Sequence, residues 1–353
     1  MTESATAGPL VAVLLPFPDD GELAERLQAI DPNVRVQLTP YAESMEVRAE
    51  KGKFGGRLAG SPAEGLELPE VDDATRAIWA ETDIVISIDS PDAHLDLFPK
   101  LTWFQAASAG LDHIDADGLV DRGVRVSTGS GIAAVSIAEF VFARYLQVYK
   151  QLRVFDQQQR DRVWEMAYGT EINGLTMVIA GFGAIGREVA RRARAFGITV
   201  LATRRSASQG DTDPDVDELH PAADLASLLP RADMVLCALP GSPETTNLFD
   251  AEMIGAMKPG CLFQNVGRGT HVVEADLLAA LTSGHLGAAL LDVTLLEPVP
   301  EDSPLWDAPN LYLSPHSAVS VDNYVTNTWQ LAAENLAKLQ SGEPLRNEYR
   351  PSF

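Results

Sequence analysis

Four residues in the last third of the chain have the types that proton transfer and anion binding need. Arg268 stands in Asn265-Val266-Gly267-Arg268-Gly269. Asp292 and Glu297 stand in Asp292-Val293-Thr294-Leu295-Leu296-Glu297-Pro298. His316 stands in Ser314-Pro315-His316-Ser317-Ala318. A guanidinium binds a carboxylate through charge-assisted hydrogen bonds. An imidazole beside a carboxylate moves protons near neutral pH. Singly, each residue is ordinary: an arginine between glycines is often a loop charge, and a glutamate before proline is often solvated. Their shared placement sets them apart. They end or follow apolar runs at 261–266, 286–293 and 311–313 that read as strands. In a parallel sheet the carboxyl ends of strands share one edge, where ligands bind. An arginine, a carboxylate and a histidine at that edge, beside a cofactor, suit reduction of a carbonyl.

The cofactor signal lies at residues 176–206. An apolar run at 176–180 reads as a buried strand, and Gly181-Phe182-Gly183-Ala184-Ile185-Gly186 matches G-x-G-x-x-G. Ile185, Val189, Ala193 and Phe196 then recur at helical spacing, Gly197 ends the helix, and 198–202 reads as a second strand. This strand–turn–helix–strand frame gives the glycines meaning as a dinucleotide site. The first allows a tight turn, the second lets backbone approach a pyrophosphate, and the third lets helix pack on strand. The helix start, at Ala184 and Ile185, offers unpaired N–H groups to the phosphates. At the end of the second strand stand Thr203, Arg204, Arg205 and Ser206. An NAD site usually has a carboxylate there for the ribose hydroxyls. Two guanidiniums and two hydroxyls would instead bind a 2′-phosphate, so the charge pattern favours NADP(H) and leaves NAD(H) open.

The 353 residues suffice for about two domains. Hydrophobic residues make up 46% and charged residues 22%, an ordinary soluble composition. The formal net charge of −23 disfavours nucleic acid and anionic membranes as partners. No apolar run is long enough to span a membrane, and residues 1–8 do not read as a secretory signal. Cys237 and Cys261 fall in apolar runs with neither metal-ligand spacing nor a disulfide framework, so a reduced cytoplasm and no metal are expected.

The remaining elements alternate. Strands are predicted at 10–17, 34–38, 83–88, 101–106, 124–127 and 234–239, and helices at 22–30, 74–80, 223–229, 252–257 and 274–283. Residues 41–69 are charged and glycine-rich without clear periodicity, and read as a surface insertion. The turn Ser108-Ala109-Gly110 directly follows a strand and can aim backbone N–H groups at an anion. Residues 133–148 are apolar almost all round, which predicts a helix buried on most sides, at a domain or subunit interface, continuing towards Trp164. A long helix is predicted at 319–339. The alternation predicts doubly wound parallel sheets.

Several of these segments together resemble the D-isomer-specific 2-hydroxyacid dehydrogenases. SAGLDHID, beginning at Ser108, resembles that family's substrate-carboxylate loop, and GFGAIG its dinucleotide turn. NVGRG, DVTLLEP and SPHSA resemble the segments carrying its arginine, glutamate and histidine. The resemblance spans residues 83–318; the first seventy residues match only in general layout. It implies an α/β fold of two doubly wound parallel-sheet domains. A Rossmann-type nucleotide domain at 132–318 would be inserted in a smaller flavodoxin-like substrate domain at 1–131 and 319–353.

The resemblance also implies roles. Arg268, Glu297 and His316 would be catalytic, with His316 as acid or base, Glu297 orienting it and Arg268 binding the carboxylate of a small 2-oxoacid. Ser108, Ala109 and Gly110 would bind the same carboxylate. Asp292, Pro240 and Thr245 would join Gly181, Gly183, Ala184, Ile185, Gly186 and residues 203–206 around the cofactor. Arg204, where an NAD-using member has Asp, resembles the NADP(H)-preferring members. A homodimer through the 133–148 helix is expected, to cover its apolar face. Two alternatives stay open: a nucleotide-sensing corepressor or scaffold, and a short-form 3-phosphoglycerate dehydrogenase. Formate dehydrogenases are less alike, because they have Gln where this chain has Glu297.

Overall fold

The computed structural model describes residues 8–16, 21–52 and 67–351. The chain divides into two compact units, Met1–Ile132 with Val321–Phe353, and Ala133–Ser320.

The first unit holds β1 (Leu10–Val13), α1 (Glu22–Ile30), β2 (Arg35–Leu38), α2 (Met45–Gly52), α3 (Asp73–Trp79), β3 (Ile84–Ser87), β4 (Trp103–Ala106), α4 (Ala116–Asp121) and β5 (Arg125–Ser127). Its five strands are all parallel, in the order β2-β1-β3-β4-β5, the flavodoxin-like arrangement. The inner strands β1, β3 and β4 are buried along their whole length because both faces are covered, while the edge strand β2, of sequence RVQL, is largely exposed. Val11, Val13 and Trp103 pack on one side with Leu23, Leu27, Trp329 and Leu336. Ala12 and Phe104 pack on the other with Trp79, Phe98 and Leu119.

The second unit holds α5 (Ala134–Tyr149), α6 (Leu152–Asp161), β6 (Thr176–Ala180), α7 (Ala184–Ala195), β7 (Thr199–Arg204), β8 (Glu218–Pro221), α8 (Leu225–Leu228), β9 (Met234–Cys237), α9 (Ala251–Gly255), β10 (Cys261–Asn265), α10 (Glu274–Thr282), β11 (Leu286–Leu291) and β12 (Leu311–Leu313). The last helix, α11 (Val321–Ser341), belongs to the first unit. The second sheet has seven parallel strands in the order β12-β11-β10-β9-β6-β7-β8. Chain order reverses between β6 and β9, the switch point at which doubly wound sheets bind ligands.

Register then sets the functional edge. Thr203 pairs with Ala180, Ala180 with Cys237, Cys237 with Asn265, Asn265 with Leu291 and Leu291 with Leu313. Six strands therefore stop level, and the residues that follow them leave the sheet together.

The structure departs from the sequence reading in four places. Residues 45–52 of the expected insertion form α2, held by ion pairs the sequence does not announce. Lys51 and Glu43 are both buried and meet at 2.9 Å, and Arg48 meets Asp89 at 2.7 Å. Removing one partner of such a buried pair costs about 3–5 kcal/mol. Residues 53–66 lie outside the described residues. The long polar continuation of α5 breaks at Gln151, which has φ 60°, and restarts as α6. Strand β8 was not expected, because an edge strand of sequence ELHP buries only Leu219. Helix α4 is not expected from periodicity because its six residues, with Gly118 among them, are too few to show one; its start is capped by Asp115, which accepts from the Gly118 amide at 2.9 Å.

Candidate active site

The glycine turn is built by close approach. Gly181 has φ +102°, and a Cβ there would lie 2.6 Å from the Ala238 carbonyl oxygen at the end of β9. A Cβ on Gly186 would lie 2.5 Å from the Gly181 carbonyl oxygen. Gly183, which would meet nothing within 4 Å, faces open space and brings no side chain to cap α7. The amides of Ala184 and Ile185 open that helix, giving an anion its positive end.

The end of β7 separates the four residues expected beside the ribose. Arg205 and Ser206 are exposed and Arg204 is half-buried. Thr203 is buried, and its carbonyl accepts from the Phe182 amide at 2.8 Å. Strand alternation puts its side chain on the sheet face opposite that of Arg204. The Nε of Arg204 is buried with no hydrogen-bond partner among the described residues. After β9, Thr245 donates its hydroxyl to the Pro240 carbonyl at 3.0 Å, which ties that turn to itself.

Arg268 follows β10 in a braced loop. Asn265 accepts from the Gly267 amide at 3.0 Å and donates to the Arg268 carbonyl at 2.8 Å. A Cβ on Gly269 would lie 1.9 Å from the Thr294 carbonyl oxygen, so only glycine lets this loop press against the one after β11. Glu297 sits on that second loop, with one oxygen accepting from the Thr294 amide at 2.9 Å. Its other oxygen is 2.8 Å from Nδ1 of His316. A carboxylate can only accept, so Nδ1 carries a proton and Nε2 is left for chemistry.

Asp292 is the brace of the histidine loop. Its carboxylate accepts from the Ser314 hydroxyl at 2.7 Å, the Ser317 amide at 3.0 Å and the Ala318 amide at 3.1 Å. Its carbonyl accepts from the His316 amide at 2.9 Å. These bonds hold His316 at φ 51°, a conformation uncommon for a residue with a Cβ. The sequence points to Asp292 only as a cofactor contact; its brace depends on donors 22 to 26 residues away.

The charges set the proton affinities. The bond to Glu297 raises the His316 pKa above its ordinary 6.5, against partial burial and the opposing charge of Arg268. Burial pushes the Glu297 carboxyl up, but His316, the Thr294 amide and Arg268 together hold it below the usual carboxylate range. His316 keeps 46% of its side chain exposed. Both cysteine thiols are pushed up to about 12 by burial, which makes them poor nucleophiles. Among the described residues no cluster of His, Cys, Asp or Glu could hold a metal, and no helix is long and apolar enough to cross a membrane.

Ser108, Ala109 and Gly110 follow β4 in the first unit. Ser108 donates its hydroxyl to the Gly110 carbonyl at 2.8 Å, and no backbone acceptor is seen for the Ala109 and Gly110 amides among the described residues.

Residues 142–318 match the model of the D-isomer specific 2-hydroxyacid dehydrogenase NAD-binding domain. A D-3-phosphoglycerate dehydrogenase of Mycobacterium bovis is 35% identical over 273 residues, 75% of this chain and 50% of that protein. The chain thus spans about half the length of that relative. Glyoxylate/hydroxypyruvate reductase B of Citrobacter koseri is 34% identical over 269 residues, 73% of this chain and 81% of the relative. An NADPH-dependent glyoxylate/hydroxypyruvate reductase of Sinorhizobium meliloti, solved with NADP and sulfate, superposes with a TM-score of 0.74 at 26% identity, covering 97% of this chain and 98% of that one when matched. Matching sequence, sheet order and strand-end residues together establish that the chain belongs to the D-isomer specific 2-hydroxyacid dehydrogenase family.

Proposed function

We propose that the protein transfers hydride between NADP(H) and a small 2-oxoacid, forming the 2-hydroxyacid. The observation that carries this reading is the 2.8 Å pair of His316 and Glu297, standing with Arg268 on one edge of the sheet that also bears the glycine turn. When bound, the reduced nicotinamide supplies the hydride. His316 donates the proton from Nε2 to the carbonyl oxygen and takes it back in the reverse direction. Glu297 holds the ring through Nδ1 and favours its charged form. Arg268 binds the substrate carboxylate. The amides of Ala109 and Gly110, beside Ser108, are proposed as further donors to that carboxylate. Asp292, Pro240 and Thr245 are proposed beside the nicotinamide. The donor set suits NADP(H): the uncapped start of α7 for the pyrophosphate, and Arg204 with its unpartnered buried Nε for a 2′-phosphate. The Sinorhizobium relative's cofactor supports the same choice.

The direct test is a panel of 2-oxoacids, with glyoxylate, hydroxypyruvate, pyruvate and 3-phosphohydroxypyruvate, each with NADPH and NADH, followed at the reduced-nicotinamide absorbance band. Turnover on at least one acid with NADPH is expected. NADPH binding without turnover on any of them would favour the nucleotide-sensing alternative.

The proton pair also sets a pH dependence. Reduction needs the imidazolium, so it is fast below the folded-state pKa of His316 and falls as pH rises through it, at a value above 6.5. Glu297→Gln removes the largest cause of that rise. The falling limb of the kcat profile should move to lower pH; a limb that stays put contradicts the pairing.

A second copy of the chain is proposed as partner, at a different place from the sequence expectation. Helix α5 buries Ala138, Val141, Phe142 and Tyr145 in the core of its own unit. The large exposed apolar side chains follow α6 instead: Trp164 is 99%, Met166 81% and Tyr168 79% exposed. Such a stripe is what an interface covers. Sedimentation at micromolar concentration should give a dimer, and a species of 38.0 kDa alone would remove the proposal.

A further inference from the structure

His271 is fully buried, three residues after Arg268, and no step above uses it. Its Nδ1 accepts from the Arg268 amide at 3.1 Å. Its Nε2 lies 3.2 Å from the Pro240 carbonyl oxygen. An amide N–H can only donate and a carbonyl can only accept, so these partners select the neutral ring with the proton on Nε2. Protonating Nδ1 would set donor against donor and bury a second positive charge beside Arg268. His271 is therefore not a proton shuttle.

Nor is it half of a nucleophilic pair with Cys237. Their Sγ–Nδ1 distance is 3.4 Å, but the single Nδ1 lone pair is already taken by the Arg268 amide, and burial pushes that thiol up to about 12. The packing around the ring is close. A Cβ on Gly267 would lie 2.9 Å from His271 Cε1 and 2.7 Å from the Leu239 carbonyl oxygen. The ring thus fills the gap between the loop after β10 and the turn after β9, and an apolar side chain there would leave two polar backbone groups without it.

We propose that His271 is a positioning residue that sets Arg268 for the substrate carboxylate and ties that setting to the Pro240 turn on the cofactor side. Arg268 is bracketed by it: Asn265 holds the carbonyl at 2.8 Å and His271 the amide at 3.1 Å. The two ring nitrogens then do separable work. Nδ1 acts on the oxoacid side through Arg268, and Nε2 acts on the cofactor side through Pro240. The inference rests on the proposed role of Arg268.

The test uses two isosteres that each keep one ring position. His271→Asn keeps an acceptor near Nδ1 and is too short for Pro240. His271→Gln reaches Pro240 with its amide N–H and gives up the acceptor for Arg268. With glyoxylate and NADPH as probes, His271→Asn should raise the KM for NADPH about tenfold and leave that for glyoxylate near wild type. His271→Gln should do the reverse, by about the same factor. A role in stability alone would move both constants together, or only the melting temperature. Both constants moving together, neither moving, or both variants failing to fold would overturn the proposal. If only one variant folds, its own split decides. Arg268→Ala, assayed alongside, separates the two readings: if it turns glyoxylate over normally, the role of Arg268 falls; if it does not and the isosteres show no split, only the role of His271 falls.

Discussion

His316→Ala should lower kcat for 2-oxoacid reduction by about 10³ while NADPH still binds with near wild-type affinity. A positioned general acid contributes roughly 10²–10⁴, and here the acid is well prepared. Glu297 fixes the ring at 2.8 Å, the Asp292 brace fixes the backbone behind it, and the bond to Glu297 favours the charged form of the ring. Removing the ring would remove the proposed proton source at the carbonyl oxygen. The residues proposed for the dinucleotide phosphates, on the turn after β6 and at the end of β7, make no hydrogen bond to His316. Turnover with saturating NADPH, beside a fluorescence titration of NADPH binding, measures the two effects separately. Turnover within tenfold of wild type would end the assignment of His316. Loss of NADPH binding together with turnover would instead mean that the loop had collapsed, and His316→Gln, which keeps a polar side chain at the same backbone, is the companion variant.

Arg204→Asp should shift the NADPH-to-NADH preference by on the order of 10²–10³ towards NADH. The wild-type guanidinium has a buried N–H without a protein partner among the described residues, and such a donor costs about 1–3 kcal/mol until something accepts from it. The proposed 2′-phosphate would supply an anionic acceptor there, and each charge-assisted bond contributes about 1.5–3 kcal/mol. An aspartate would repel the phosphate and accept from the ribose hydroxyls of NADH. The local field is not purely basic. Asp213 is clamped by Arg187 at 2.8 Å, and its carboxyl is held down first by that bond and further by the charge of Arg204. The shift is therefore expected to be smaller than an isolated arginine would give. Dissociation constants of both cofactors for wild type and variant decide it, and an unchanged ratio removes the phosphate argument.

Much of this architecture is readable along the chain because its causes are local. The β6–turn–α7 frame follows from an apolar run, spaced glycines and a 3.6-residue repeat, all within residues 176–206. The placement of Arg268, Glu297 and His316 at one edge follows from parallel strands sharing their carboxyl ends, as the level register from Thr203 to Leu313 has it, while the pairing of His316 with Glu297 is implied only by the family resemblance. Where several side chains had to meet from distant segments, sequence pattern carried no signal. Lys51 looks like a surface charge in a glycine-rich stretch until Glu43 and the Ser90 carbonyl close around it. His271 looks like one more loop histidine until β9 and β10 bring Pro240 to its far nitrogen.

The chain alone, then, determined most of the elements, their alternation and the candidate reactive side chains, since periodicity and turn chemistry act over a few residues. Tertiary structure alone decided which polar groups are occupied: Asp292 by the histidine loop, the Thr203 carbonyl by the glycine turn, His271 by two separate turns. A buried polar group must find a partner wherever the fold brings one, and that partner is set by three-dimensional packing rather than by spacing along the chain.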